Sequence, residues 1–171
     1  MNPPADGPTV DCVDRRTADD TAVDVDACCD LLSAVLAAEG VAQRATATIL
    51  LVDADEITSL AAEHLGHEGP TDVLSFPIDG PGPVEDQQPW VVGDVVICPQ
   101  VAAAGAPTHA GDLRSELALL VTHSGLHLCG WDHADPAEEA AMWARERELL
   151  ERHHGPIAGD PWATAGTGGV R

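Results

Sequence analysis

The segment from His123 to His133 constrains the fold of this chain more than any other, because its three histidines can meet in few arrangements. In an α-helix, residues four positions apart lie on one face, so the side chains of His123 and His127 would point to the same place. Gly130 can then end the helix in a left-handed conformation, and the turn can return His133 to that place. The segment therefore predicts a helix that ends near Gly130 and a tight turn after it.

Three converging imidazoles with a fourth position left open are typical of a catalytic zinc site. A single buried histidine is more often a hydrogen-bonded core residue, but three at this spacing indicate a metal. We predict that His123, His127 and His133 bind one Zn²⁺ ion per chain. Cys129 follows His127 by two residues and points away from the shared face, so we do not count it as a ligand.

The spacing H-x3-H-x2-G-x2-H also occurs in metzincin peptidases, where the residue after the first histidine is a glutamate general base. Here that position is Ser124, which cannot accept a proton at neutral pH. A metallopeptidase is therefore disfavoured, although the spacing alone does not identify the reaction.

Apolar periodicity predicts a mixture of helices and single strands. Asp53 and Glu56 resemble a capping box that opens a helix, which breaks at Gly66. Because the strands occur singly between helices, we expect an α+β fold: a single domain with a small mixed sheet of about four strands, packed against helices with the metal-ligand helix central. Strands are predicted at residues 9–13, 45–52, 71–77 and 91–98, and further helices at about residues 22–39, 113–128 and 136–153.

Composition predicts the boundaries of this domain. Residues 1–7 are expected to be a disordered N-terminus, residues 8–154 the domain, and residues 155–171, rich in Gly, Pro and Thr, a disordered tail. No apolar run approaches the length of a membrane helix, and the N-terminus lacks the basic and apolar regions of a signal peptide. We therefore expect a cytoplasmic protein with no membrane partner.

The net charge of −21 opposes contact with nucleic acid over most of the surface, and all eight cationic residues are arginines. An acidic protein repels a polyanion unless a local basic patch or a bound metal counters the field. DNA is not expected as a partner, and any RNA-binding role must depend on a local site.

Several motifs together resemble one known family. The segment His123–His133 is similar to the signature H-G-x-L-H-L-x-G-Y-D-H of the YbeY family of bacterial endoribonucleases and rRNA maturation factors. A second family motif is present in full at Pro70–Pro77, and Gly93–Pro99 is similar to a third. Glu116 and the leucine after it fit the lead-in to the ligand helix. The order of elements matches from about residue 10 to about residue 153.

The resemblance implies a single-strand-specific, metal-dependent endoribonuclease that acts in maturation of the 3′ end of small-subunit rRNA and in ribosome quality control. It implies that His123, His127 and His133 hold zinc and that residues 8–154 form a metallo-ribonuclease domain. The implied partners are single-stranded RNA or rRNA, and the ribosome or its small subunit with assembly factors. The charge leaves open an alternative, a zinc-stabilised ribosome assembly or adaptor protein with little catalysis.

The chain departs from the family pattern at several positions. Ser124 stands where glycine is usual, and Trp131 replaces a tyrosine, which keeps the aromatic ring and loses the hydroxyl. Many members carry an arginine, thought to hold or activate RNA, at the position of Leu65, and an asparagine at the position of Ala61. These last two departures affect contact with RNA and leave the metal ligands unchanged.

A carboxylate near the metal is expected to orient an imidazole or to accept a proton. Asp72 and Asp132 are the candidate catalytic residues, and each also has a structural alternative. The alternative for Asp132 is a turn residue after Gly130, and the alternative for Asp72 is a hydrogen-bonding residue at a strand start. The remaining histidines, among them His109, are interpreted as surface residues, with His67 near the position of the missing arginine.

Overall fold

The computed structural model describes residues 7–83 and 88–163. The elements are close to those predicted, and the α+β single-domain fold is confirmed. One short 3-10 turn joins the third and fourth helices. The strands are β1 (Thr9–Asp14), β2 (Thr46–Leu51), β3 (Val73–Pro77) and β4 (Val91–Ile97), and the helices are α1 (Val25–Ala38), α2 (Ala54–Leu65), α3 (Pro99–Gly105), α4 (Leu113–Leu128) and α5 (Pro136–His153).

The four strands form one mixed sheet in the order β1-β2-β4-β3. Strands β1, β2 and β4 run parallel, whereas β3 is antiparallel to β4 at one edge. Because consecutive side chains of a strand face opposite sides of the sheet, β2, β3 and β4 each contribute to two cores, whereas one face of the edge strand β1 is exposed. On β4, Val95 and Ile97 join the larger core with α1, α4 and α5, and Val96 joins a smaller core with α2.

Helix α4 lies at the centre of the larger core, as predicted for the helix that carries the ligands. Every residue from Ser115 to Leu126 is buried, and the helix packs against α1, α5, β3 and β4. Because this helix is buried on all sides, its polar side chains need hydrogen-bond partners in the interior. The carboxylate of Asp112 begins the helix by accepting a hydrogen bond from the backbone N–H of Ser115 at 2.8 Å.

The predicted capping role of Asp53 is wrong, although α2 does begin after it. Its side chain makes no hydrogen bond to the first turn of α2. Instead, its carboxylate accepts the backbone N–H groups of Thr17 at 2.8 Å and Asp19 at 2.9 Å, from the loop after β1. These hydrogen bonds lower the pKa of Asp53. The side chain therefore stabilises the loop after β1 and does not cap α2.

Residues 155–163 contact the domain, although the sequence predicted a tail from residue 155. The backbone N–H of Gly159 donates to the carbonyl of Ala110 at 3.0 Å, and Trp162 packs against the larger core. The rest of that predicted tail, and the predicted N-terminus apart from Gly7, lie outside the described residues. None of the described helices combines the length and apolarity that a bilayer span requires.

Candidate metal centre

The end of α4 and the turn after it bring the three predicted ligands together. The Nε2 atoms of His123 and His127 lie 3.0 Å apart. Gly130 takes a positive φ of 90°, and the chain turns there so that His133 faces the same point. One nitrogen from each ring lies within 4.8 Å of the other two, which is a spacing that could hold a metal ion.

Hydrogen bonds on the outer side of two rings orient their nitrogens. The Nδ1 atom of His127 lies 2.9 Å from the backbone carbonyl of Trp131. Because a carbonyl oxygen can only accept, this Nδ1 carries the proton and Nε2 keeps its lone pair. The Nδ1 atom of His123 lies 2.8 Å from Oε2 of Glu146, which favours the same tautomer. Both Nε2 atoms therefore present lone pairs to the shared point.

This arrangement fits a bound cation. Two imidazole lone pairs that face each other at 3.0 Å repel unless a cation or a proton lies between them. Burial is the main cause that lowers the pKa of His127 to about 4, and the neighbouring His123 contributes in the same direction. His127 is therefore neutral near pH 7, as a metal ligand must be. The donor set of three imidazoles suits zinc among several transition metals.

The turn that carries the Trp131 carbonyl is anchored from two sides. The indole N–H of Trp131 donates to Oε2 of Glu39 at 2.7 Å, and Nε of Arg145 donates to Oε1 of the same carboxylate at 2.7 Å. This ion pair raises the pKa of Arg145. The tryptophan that replaces the family's tyrosine thus has a defined hydrogen-bond partner and holds the acceptor of His127 in place.

The two predicted catalytic carboxylates occupy different positions. Asp132 is exposed and lines the cleft beside the histidines, and its Oδ1 accepts the backbone N–H of His133 at 2.8 Å. Asp72 is half-buried at the start of β3, where its carbonyl accepts the N–H of Cys98 at 2.9 Å. Its neighbours Thr71 and Val73 line the cleft, whereas Asp72 itself does not.

The carboxylate that contacts the ring of a predicted ligand, His123, is Glu146 on α5, which the sequence reasoning missed. It is only 2% exposed. The sequence does contain a signal for it. Glu146 lies on the buried face of α5, whose other buried residues are the apolar Met142, Leu149 and Leu150. A glutamate inside an apolar stripe is costly to bury without a partner, so its position indicated a polar contact in the core.

The three histidines lie in a cleft of about 570 Å³. Leu65, at the family's arginine position, lines the cleft and is 68% exposed. Within the described part of the chain, neither arginine nor lysine lines this cleft, and His67 is the one basic side chain besides the three histidines. The other lining residues are Ala61, Gly66, Thr71, Val73, Leu74, Ser75, Pro77, Gly130, Trp131 and Asp132.

Two further residues near the ligand helix bear on the predictions. Burial raises the pKa of Cys129 to about 12, so it remains a thiol at neutral pH and is a poor metal ligand. The interpretation of His109 as a surface residue is wrong. Its Nδ1 lies 2.7 Å from Oε2 of Glu116, and its side chain is only 16% exposed. The buried carboxylate of Glu116 requires a donor, and His109 supplies it.

Known proteins resemble this chain in sequence. The model of the family described as endoribonuclease YbeY matches residues 14–154. A relative named endoribonuclease YbeY from Corynebacterium glutamicum is 45% identical over 127 residues, which cover 71% of this chain and 65% of the relative. One of the same name from Salinispora tropica is 43% identical over 136 residues, covering 75% of this chain and 87% of the relative. The chain thus spans just under two thirds of the length of the Corynebacterium relative.

A solved structure supports the fold. The solution structure of TM1509 from Thermotoga maritima superposes with a TM-score of 0.57 at 23% identity, covering 85% of this chain and 89% of that chain. Together with the family model, which matches far more than half of the residues, the sequence relatives decide the assignment. This chain belongs to the YbeY family of endoribonucleases.

Proposed function

We propose that this protein is a metal-dependent endoribonuclease that cleaves single-stranded RNA in the maturation of the 3′ end of small-subunit rRNA, and that it serves ribosome quality control. The observation that carries the proposal is the group of three histidines in an open cleft, with Nε2 atoms of His123 and His127 turned to one point. Relatives of similar sequence bear the name endoribonuclease YbeY.

We propose that His123, His127 and His133 hold one Zn²⁺ ion. Three neutral imidazoles are a common ligand set of catalytic zinc, and the three histidines line an open cleft from which a substrate could reach the ion. When bound, such an ion acts as a Lewis acid on a phosphoryl group. The protein contributes by fixing the rings, since Glu146 and the Trp131 carbonyl each bind the outer nitrogen of a ligand.

Asp132 and Asp72 remain the candidate catalytic carboxylates. Asp132 is exposed in the cleft, so it can accept a proton from a reacting hydroxyl or water. Asp72 adjoins the cleft through Thr71 and Val73, and it is the weaker candidate. If Asp132 acts in proton transfer, Asp132→Asn will lower kcat while the metal content stays at one equivalent, and an unchanged kcat would contradict the role.

The domain and the cellular setting follow from the same proposal. Residues 8–154 would form the metallo-ribonuclease domain, which the extent of the family match at residues 14–154 supports. An enzyme acting on small-subunit rRNA would work in the cytoplasm beside the ribosome, its small subunit and assembly factors.

The proposal is tested by cleavage of single-stranded rRNA fragments. We expect metal-loaded wild-type protein to cleave, and His127→Ala and chelated protein to lose cleavage. Equal cleavage by all three samples would indicate a contaminating nuclease and contradict the enzyme assignment. Metal analysis of protein purified without chelator is a separate test: we expect about one equivalent of zinc, and less than about half an equivalent of any transition metal would contradict the site.

A zinc-stabilised ribosome assembly or adaptor protein is the second candidate. The observation that favours it is the cleft, whose described lining contains no arginine or lysine, in a chain with a net charge of −21. Such a protein would bind small subunits and retain its metal, yet metal-loaded protein would leave every single-stranded RNA fragment intact. The cleavage assay with His127→Ala as the control therefore separates the two candidates.

A further inference from the structure

Glu146 is a buried carboxylate with one hydrogen-bond donor on each oxygen. Its Oε2 lies 2.8 Å from Nδ1 of the ligand His123, and its Oε1 accepts the indole N–H of Trp162 at 2.9 Å. The residue is 2% exposed, so water contributes little to its solvation. Both oxygens of this buried carboxylate therefore have a hydrogen-bond donor.

Trp162 belongs to residues 155–163, here called the C-terminal segment, which lie beyond the residues 14–154 that match the family model. Three contacts hold that segment against the domain. The N–H of Gly159 donates to the carbonyl of Ala110 at 3.0 Å. The guanidinium of Arg147 lies 4.6 Å from the centre of the Trp162 ring, and that ring packs against the larger core. The indole N–H is thus held in position at the carboxylate.

The second donor matters because a carboxylate bound on one oxygen can rotate about its side-chain torsions. With Oε1 fixed by Trp162, the plane of the carboxylate is set, and Oε2 stays in line with the Nδ1–H of His123. Partners on the outer nitrogen of a ligating histidine fix its tautomer and ring orientation, and their removal weakens metal binding. The arrangement joins the C-terminal segment to the metal centre in two hydrogen bonds.

We propose that Trp162 is a positioning residue for the metal centre, which acts through Glu146 to hold His123 in the ligand orientation. This inference rests on the proposed metal site and is independent of the RNA substrate. The C-terminal segment then belongs to the functional unit, and the support of the site extends past the end of the family match at residue 154.

Metal affinity of the full chain tests the proposal. Zinc dissociation constants are measured by competition with a chromogenic chelator for wild type, Trp162→Phe and Glu146→Gln. Loss of the indole N–H should weaken binding about 10-fold, and loss of the carboxylate charge by about 10- to 100-fold. The matched control is Trp90→Phe, which deletes an indole N–H that donates to the Gly80 carbonyl at 2.9 Å, outside the cleft lining. It should change affinity less than about twofold.

A spectroscopic readout separates positioning from general destabilisation. The absorption bands of the Co²⁺-loaded protein report ligand geometry, and they should shift in Trp162→Phe and stay unchanged in Trp90→Phe. In metal-free wild type, the indole N–H of Trp162 should exchange slowly with solvent, a measurement that requires no variant. Wild-type zinc affinity and unshifted bands in Trp162→Phe would overturn the proposal, as would rapid exchange of this N–H. Since no RNA is present, failure of RNA cleavage would leave these results unaffected.

Discussion

At the scale of single residues, Leu65 is the departure with the clearest consequence. It lines the cleft at the position where the family resemblance leads us to expect arginine, and it is 68% exposed. Leu65→Arg should strengthen binding of single-stranded RNA. It should also make the slope of log affinity against log salt concentration more negative, by about 0.7 per added phosphate contact. Fluorescence anisotropy of a labelled oligonucleotide measures both quantities. Leu65→Met is the control, and an equal gain in both variants would show that charge is not the cause.

A second prediction concerns the hydrogen bond between Trp131 and Glu39. Trp131→Phe removes the N–H donor and leaves the Glu39 carboxylate, mostly buried, with Arg145 as its remaining partner. We expect a loss of about 1.5–3 kcal/mol in the free energy of unfolding, the range for hydrogen bonds to charged groups. Urea denaturation of the metal-free protein measures it.

Trp90→Phe serves as the comparison for that measurement, because its indole N–H binds a neutral carbonyl. Its loss should be smaller, about 0.5–1.5 kcal/mol. If Trp90→Phe proves the more destabilising of the two, the anchoring role of Glu39 is refuted.

The residues that the sequence predicted are those whose geometry is local. His123 and His127 share a helix turn, and Gly130 permits the return of His133, so eleven consecutive residues contain the information. Glu146 lies 23 positions from His123, and Trp162 a further 16 positions from Glu146. Which carboxylate reaches the ring depends on the packing of α5 on α4, which periodicity alone does not specify. Asp132 is a candidate because it adjoins His133 in sequence, and the catalytic roles of Asp132 and Asp72 both stay predictions.

At the scale of elements, strand β4 fits α4 only because Gly93 has no side chain. A Cβ at this position would meet the carbonyl oxygen of Phe76 and lie 2.6 Å from Cδ2 of Leu128 on α4. Gly93→Ala should therefore lower the free energy of unfolding by about 1–3 kcal/mol, because the backbone of β3 or the end of α4 must move. Gly105→Ala is the control, since nothing lies within 4 Å of its added Cβ. Thermal unfolding of both variants measures the difference, and equal midpoints would contradict the close approach.

The anchoring of the loop after β1 gives a pH-dependent prediction. Hydrogen bonds from Thr17 and Asp19 lower the pKa of Asp53 from 3.8. A lowered carboxylate pKa stabilises the fold above the unfolded-state pKa, and this contribution is lost as the pH falls through the folded-state value. The difference in unfolding free energy between wild type and Asp53→Asn should therefore be full at neutral pH and shrink below about pH 4. Urea denaturation as a function of pH measures it, and a difference that grows on acidification would contradict the anchor.

Elements were more predictable than their connections. Helix α4 begins and ends at the residues predicted, Leu113 and Leu128, because a cap and a helix-ending turn bracket it. In β3, Val73 lies in the larger core and Leu74 in the smaller one, as expected for consecutive residues of a strand. Asp53 shows the limit, since its partners lie 34 to 36 positions away. A capping pattern considers only the backbone N–H groups of the next turn, and it does not include N–H groups that tertiary structure brings to the same carboxylate.

At the scale of the whole molecule, the negative net charge opposes the RNA binding proposed for the cleft. The chain carries −21, and several of its arginines are already paired with carboxylates. Their charge is therefore partly neutralised before any RNA approaches. The ion pairs join Arg15 to Glu56, Arg16 to Asp14 and Asp19, Arg145 to Glu39 and Glu148, and Arg152 to Glu148. The described cleft lining adds neither arginine nor lysine, so under the proposed function the cleft would attract RNA through the proposed metal site, His67 and contacts with bases.

This balance predicts an unusual dependence of RNA binding on salt. Proteins that neutralise phosphates with arginine and lysine lose affinity as salt rises, with a slope of about −0.7 per phosphate for single strands. In this protein, salt mainly screens the repulsion between the acidic surface and the RNA phosphates, because the Debye length is only about 10 Å at 0.1 M salt. Raising NaCl from about 0.02 to 0.2 M should therefore leave the affinity of the metal-loaded protein unchanged or increase it. Anisotropy titrations measure this, and Leu65→Arg should bring back a decline. A steep decline in wild type would show that RNA binds a basic surface elsewhere, and the cleft would then lose its place as the principal contact.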